Sequence, residues 1–251
     1  MTTPILETTR DAFLGGRVIV HQPKTGFRGG TDSVLLAAAI NSEQCGQALE
    51  FGCGSGAALL PAAWRAPNLS FTGMDKDQDA LQRAVRGVEE NRLMDRVRCL
   101  CEDAAALPSG FAGQFDLVFS NPPFFEARRT EPPGPGKHDA YLESISLEAW
   151  IRAMLFCLRP KGTFLILHRA AELARILAVL EPLSGEIAVA PIRSYPGGDA
   201  KRVIVRARKG LRRGPMRLLS GVDLYTQKGG DRSKTMAAIA GEGVGLDWSQ
   251  D

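Results

Sequence analysis

The sequence predicts an α/β fold, a doubly wound, seven-stranded, mostly parallel sheet with one antiparallel strand. Three observations predict it. Short apolar runs alternate with amphipathic helical runs from Gln47 to Leu180, and a glycine-rich turn stands at the first strand-to-helix junction. From Glu186 the alternation stops, and two strands follow one another across a tight turn.

Taken in order, Gln22-Pro23-Lys24-Thr25-Gly26-Phe27-Arg28-Gly29-Gly30 is rich in turn formers, and Thr31-Asp32 is placed to cap a first helix running through Val34 to Ile40. Gln47 to Phe51 reads as a strand, Ala57 to Arg65 as a helix and Ser70 to Met74 as a strand. Asp77 to Arg92 is a long helix with Leu81, Ala84, Val85 and Val88 on its apolar side, and Arg96 to Cys101 is a third strand. Phe115 to Ser120 is the fourth. A helix over Leu147 to Leu158, closed by Arg159-Pro160-Lys161-Gly162, leads to a fifth strand at Thr163 to Leu167 and a helix near Ala171 to Leu180. Glu186 to Pro191 and Lys201 to Lys209, joined by Ser194-Tyr195-Pro196-Gly197-Gly198, are expected to pair antiparallel. Residues 1–45 form a cap segment with the first helix, 46–210 the main domain, and 211–251 a tail that packs on or extends it. Ala127 to Asp139 and the glycine-rich tail after Gln227 read as mobile.

Composition bounds the function. With 44% hydrophobic and 24% charged residues among 251, the chain is of ordinary globular type. Its longest apolar runs fall far short of the roughly 20 residues that span a bilayer. Met1 to Glu7 has no signal-peptide character, and the five cysteines form no C-x-x-C pair, so a reducing cytoplasm fits. Cys99 and Cys101 share one face of a strand and read as core. His21, His138 and His168 have no common spacing, so no metal is expected, and Trp64 and Trp150 read as core residues. The net charge is only +3, but nine basic residues face one acid between Ile192 and Arg217. Arg202, Ile204, Arg206 and Arg208 share one strand face. That stripe suits a polyanionic partner; the competing reading is a solvated edge strand protected by charge.

Two turns carry chemistry. Glu50-Phe51-Gly52-Cys53-Gly54-Ser55-Gly56 joins the first strand to a helix, as a nucleotide-like cofactor requires. Its spacing also satisfies a dinucleotide fingerprint. Asp75, ending the second strand, suits ribose hydroxyls in either case. Glu50 favours a cofactor with an ammonium group over a pyrophosphate, and Asp103 suits an adenine amine. The second turn is Asn121-Pro122-Pro123-Phe124. Its two prolines restrict the backbone and remove N–H donors, leaving the Asn121 side-chain oxygen and the Pro122 carbonyl as acceptors beside an aromatic face. Two acceptors orient a planar NH2 group and turn its delocalised lone pair towards an electrophile.

These segments, with Asp11-Ala12-Phe13-Leu14-Gly15-Gly16-Arg17, Gln22 to Arg28, Thr31 to Ala37 and Ala200 to Lys209, resemble the bacterial tRNA(Val) adenine-N6 methyltransferase family from about Asp11 to Gly210. The N-P-P-[FY] turn alone is shared with guanine-N2 ribosomal RNA methyltransferases and release-factor glutamine methyltransferases, so Gln22 to Arg28 carries most of the discrimination. The resemblance implies a class I, Rossmann-like fold that binds S-adenosylmethionine (SAM). It places Glu50, Gly52, Gly54 and Gly56 around the methionine part, Asp75 on ribose and Asp103 on adenine. Asn121, Pro122, Pro123 and Phe124 become the catalytic turn, with the target adenine turned out of its RNA loop and stacked on Phe124. Phe27 is expected over the cofactor or target base, or in plain packing. Lys24, Arg28, Arg202, Arg206 and Arg208 are candidates for tRNA phosphates. An NAD-dependent oxidoreductase and a non-catalytic RNA-binding protein are the rivals from other classes; the first gives the Asn-Pro-Pro turn no task.

Overall fold

The computed structural model describes residues 8–123 and 145–249. Phe124, His138 and the stretch from Ala127 to Asp139 lie outside the described residues.

Strands β1 (Thr8–Phe13) and β2 (Val18–Pro23) form an antiparallel hairpin ahead of helix α1 (Thr31–Ala38). The central sheet then takes β3 (Gly46–Phe51), β4 (Leu69–Asp75), β5 (Val97–Cys101), β6 (Phe115–Ser120) and β7 (Leu158–Arg169). These run parallel in the order β7-β6-β3-β4-β5. Beyond β7 the sheet continues with β9 (Ala200–Lys209) and β8 (Ser184–Arg193), and β9 is antiparallel to both of its neighbours. The expected antiparallel pair is therefore present. The sheet is larger than seven strands, however, because β10 (Arg217–Leu218) and β11 (Val222–Asp223) add short parallel pairings to the free edge of β8. Covering that edge blocks pairing with another chain. Because β9 itself lies between β7 and β8, the edge-strand account of the basic stripe does not hold.

Helices α2 (Leu59–Arg65) and α3 (Gln78–Glu90) pack with α1 on one face of the sheet, and α4 (Leu147–Cys157) and α5 (Leu173–Leu180) on the other. Strand alternation sorts the side chains: Leu117 and Phe119 of β6 enter the first core and Val118 the second, as do Leu165 and Leu167 against Phe164 and Ile166 in β7. Asp77 caps α3 by accepting from the Asp79 and Ala80 amides. For α1 the expected cap is wrong. Gly30 occupies that position and makes no side-chain cap; Thr31 and Asp32 lie inside the first turn, and Asp32 pairs with Arg202 at 3.2 Å. Cys101 is exposed, because β5 is the far edge of the sheet.

The tail also departs from expectation. Residues read as mobile form helix α6 (Lys234–Glu242), whose Ser233 hydroxyl accepts from the Met236 amide and whose end is closed by left-handed Gly243. Met236 and Ile239 are buried. Gly243 in this segment stops a helix instead of loosening a coil. The tail then closes α1. Arg65 donates to the Ala37 and Ile40 carbonyls and, through Nε, to Gly243; the Leu246 amide donates to Ala38, and the Trp248 indole donates to Ala39 at 2.8 Å. The carbonyls of residues 37–40, at the end of this helix and just past it, thus all find donors. Trp64, expected in the core, is half-exposed beside Gly243. Among the described residues, no helix is long and apolar enough to cross a membrane, and no cluster of His, Cys, Asp or Glu has metal-binding geometry.

Candidate active site

Parallel strands deliver their following loops to one edge of a sheet, and here that edge holds a cavity of about 790 Å³. Gly52 and Gly54 from the turn after β3, Asp75 ending β4, Asp103 after β5, and Asn121, Pro122 and Pro123 after β6 all line it. Its far side is the segment 25–33 leading into α1, with Trp150 of α4 at the floor.

The glycine turn needs its glycines for two different reasons. Gly52, Gly54 and Gly56 all have positive φ, at 68°, 52° and 79°. A Cβ on Gly54 meets nothing within 4 Å, so that backbone faces open space, whereas at Gly56 it would press on Leu60 at 3.3 Å. Gly56 therefore serves packing and does not line the cavity. Asp75 is fixed by the turn it faces, since Oδ2 accepts from the Gly54 amide at 2.8 Å and Oδ1 from the Asp77 amide at 3.0 Å. A carboxylate has about four lone-pair sites, so acceptor capacity remains. Asp103 Oδ1 accepts from the Ala105 amide at 2.9 Å.

Glu50 lies beneath the turn, outside the cavity lining. It is buried, and its Oε2 has no hydrogen-bond partner. Burial, and after it the Asp75 carboxylate, pushes the Glu50 carboxyl well above the usual range, with the Leu59 backbone pulling the other way.

At the Asn121 turn, Ser120 Oγ donates to the Phe51 carbonyl at 2.8 Å and accepts from the Trp150 indole N–H at 3.1 Å. Trp150 also meets Phe51 edge-on at 5.6 Å. This couples the end of β6 to the glycine turn through buried groups. Trp150 is thus both a core residue, as expected, and part of the cavity wall, which its helical spacing did not reveal.

The segment over the cavity is pinned by Gln22. Its Oε1 accepts from the Gly29 amide at 2.7 Å, and its Nε2 donates to the Gly29 carbonyl and to Asp11. Arg28 lines the cavity, but its guanidinium is committed to Thr9, the Pro23 carbonyl and Asp11. Phe27 also lines the cavity and is 78% exposed, which removes the packing reading for it.

The basic stripe does not converge on this cavity. Arg202 does not line the cavity and pairs with Asp32 at its rim. Arg206 stacks over Trp248 at 4.3 Å, and Arg208 donates to the Lys161 carbonyl. Both line a separate polar cavity of about 410 Å³ at the opposite ends of the strands. Lys24 lies outside the lining, between Pro23 and Thr25. Arg83, which sequence reasoning passed over, enters the cavity from α3. Its signal was positional: Ala80, Arg83, Ala84 and Gly87 share one helix face, and that face is otherwise apolar.

Comparison with known proteins gives a consistent picture. A family model described as methyltransferase small domain matches residues 28–133. A tRNA1(Val) (adenine(37)-N6)-methyltransferase of Yersinia enterocolitica is 32% identical over 197 residues, 74% of this chain and 75% of that protein. One from Serratia proteamaculans is 31% identical over 162 residues, where the chain spans 61% of its length. Among solved structures, a predicted O-methyltransferase from Agrobacterium tumefaciens superposes with a TM-score of 0.69 at 22% identity, covering 86% of this chain and 98% of that one. A T. Thermophilus 16S rRNA N2 methyltransferase in complex with AdoMet and guanosine gives 0.57 at 21%, covering 83% and 52%. At these identities the two structures speak for the fold.

Proposed function

Because the chain belongs to the tRNA1(Val) (adenine(37)-N6)-methyltransferase family, we propose that it transfers a methyl group from SAM to the exocyclic N6 amine of an adenine in RNA, with tRNA as the substrate class. The observation that carries this reading is the meeting of Asn121 and Pro122 with Asp75, Asp103 and the glycine turn around one cavity.

The residues fit the cofactor. Asp75, with lone pairs left after Gly54 and Asp77, suits two ribose hydroxyls, and Asp103 suits the adenine amine. Gly52 and the open Gly54 let backbone lie against the methionine part, while the buried Glu50 carboxyl below the turn, held protonated without ligand, is the group that the cofactor's ammonium would favour in its ionised form. Gly56 keeps that turn packed. When bound, SAM supplies an electrophilic methyl group on a sulfonium.

The chain's own contribution is orientation. The Asn121 side-chain oxygen and the Pro122 carbonyl each accept one N–H of the target amine, which turns the nitrogen lone pair out of conjugation. Pro123 holds Pro122 extended, and neither proline offers a competing donor. Methylation makes the nitrogen acidic, so its proton leaves to water without a dedicated base. Phe27, exposed at the rim, stacks on the base at the mouth, and the stacking role expected of Phe124 falls outside the described residues. Lys24 lies beside the lining and suits an RNA phosphate; Arg28 instead holds the rim segment, and Arg202, Arg206 and Arg208 contribute to RNA only through surface left free by their internal contacts. The enzyme works in the cytoplasm without a metal.

The test is incubation with labelled SAM and total RNA from a strain lacking the gene, followed by mass spectrometry of the labelled nucleoside. N6-methyladenosine in tRNA is the expected product; label at guanine-N2, or in protein alone, overturns the assignment. Asn121→Ala is expected to lower turnover by about two orders of magnitude or more while S-adenosylhomocysteine affinity holds.

A further inference from the structure

Arg83 is 8% exposed, lines the cavity from α3, and among the described residues makes a single hydrogen bond, from Nε to Ser55 Oγ at 3.3 Å. A guanidinium has five N–H donors, and a buried one without an anion is costly. The other cavity arginine, Arg28, already has Asp11; of the acids lining the cavity, Asp32 pairs with Arg202 and Asp77 caps α3, and among the described residues none forms an ion pair with Arg83. The ribose, adenine and ammonium groups of SAM all have acidic counterparts in the site, but its carboxylate has no cation assigned to it. Ser55, the residue Arg83 touches, belongs to the glycine turn that takes the methionine part.

We propose that Arg83 is a cofactor-binding residue, its free N–H groups pairing with the carboxylate of the methionine moiety beside Ser55. This rests on the SAM reading of the cavity. A planar fork of donors matches a carboxylate, and burial strengthens the pair. The serine hydroxyl holds the guanidinium aimed at the turn before the ligand arrives. The arginine thereby separates ligands that carry an amino-acid tail from adenosine compounds that lack one.

The experiment is calorimetry on the full chain with S-adenosylhomocysteine and with 5′-methylthioadenosine, which keeps the nucleoside and has no carboxylate. Arg83→Met, close in length, is expected to weaken S-adenosylhomocysteine by about 10- to 100-fold and to leave 5′-methylthioadenosine unchanged. Arg83→Lys is expected to fall between, and unchanged 5′-methylthioadenosine binding certifies that the cavity is formed. Equal losses for the two ligands, or no loss for either, overturn the proposal. So does a variant that binds both normally but binds RNA less tightly, since the guanidinium then serves a phosphate. If the unsubstituted chain binds neither ligand, it is the SAM reading that falls.

Discussion

Gly29→Ala tests the packing of the rim segment on the cofactor turn. A Cβ built at Gly29 overlaps the Ala57 Cβ and lies 2.8 Å from Ser33 Oγ. The hydroxyl can rotate away. The Ala57 methyl cannot, because it is fixed to the backbone at the end of the glycine turn, so relief requires the segment itself to move. Overpacking of this kind costs about 1–3 kcal/mol. For a chain of this size that lowers the melting temperature by about 2–12 °C. The strain falls on a residue held at both its amide and its carbonyl by Gln22, so displacement also opens the wall formed by residues 25–33. S-adenosylhomocysteine affinity is therefore expected to drop several-fold, read from calorimetry and from the ligand-induced rise in melting temperature. Ala57→Gly makes room for the new methyl, so the double variant is expected to recover most of both losses, a coupling of opposite sign to the single effects. A Gly29→Ala protein that melts within about 1 °C of the parent and binds the ligand equally well would refute the reasoning.

Other expectations concern the mouth and the buried titratable groups. Phe27→Ala is expected to leave melting temperature and S-adenosylhomocysteine affinity unchanged and to raise the KM for RNA by roughly 5- to 100-fold, the loss of one stacked base; unchanged RNA kinetics would remove Phe27 from the interface. Burial and Asp75 push Glu50 up, so the folded chain keeps a proton that the unfolded chain releases in the ordinary Glu range. Its stabilising effect is complete below that range and declines as pH rises towards the folded-state pKa. Glu50→Gln is expected to remove this decline and to melt above the parent at neutral pH without ligand; parallel pH profiles for the two proteins would contradict it. His168 has the opposite sign, lowered from 6.5 to about 4 chiefly by burial. The unfolded imidazole takes a proton first, so stability is lost as pH falls through that interval. His168→Gln is expected to flatten the slope of urea-unfolding free energy across it, and an unaltered slope counts against the assignment.

The parts legible in the sequence were those with local signatures. Strand–helix alternation reads out of short apolar runs, and the glycine turn, Asp75, Asp103 and Asn121 each end a strand, where the fold rule puts ligands. What escaped depends on contacts between distant residues. Arg206 looked like a surface charge on its strand, yet Trp248 covers it from the far end of the chain. Arg28 looked like a phosphate contact because nothing nearby in sequence announces Asp11, its actual partner across the hairpin. Asp32 looked like a cap because its neighbours suit one, but Arg202 competes for its carboxylate. Glycine misled twice, in the tail helix and at Gly56, where it marks tight packing and not exposure.

Helix α1 borders the cavity at its first turn and ends in carbonyls whose donors come from Arg65, Leu246 and Trp248. Trp248 follows Ala39 by 209 residues. During synthesis the glycine turn, the ribose acid and the acceptor turn all emerge long before the residues that finish this helix. Until then the outer wall is pinned by Gln22 at Gly29 but the far end of α1 lacks its donors, and those closing contacts have high sequence separation and form late. Full support of the pocket therefore waits on residues 246–248, which must be made before the last carbonyls of α1 find their donors.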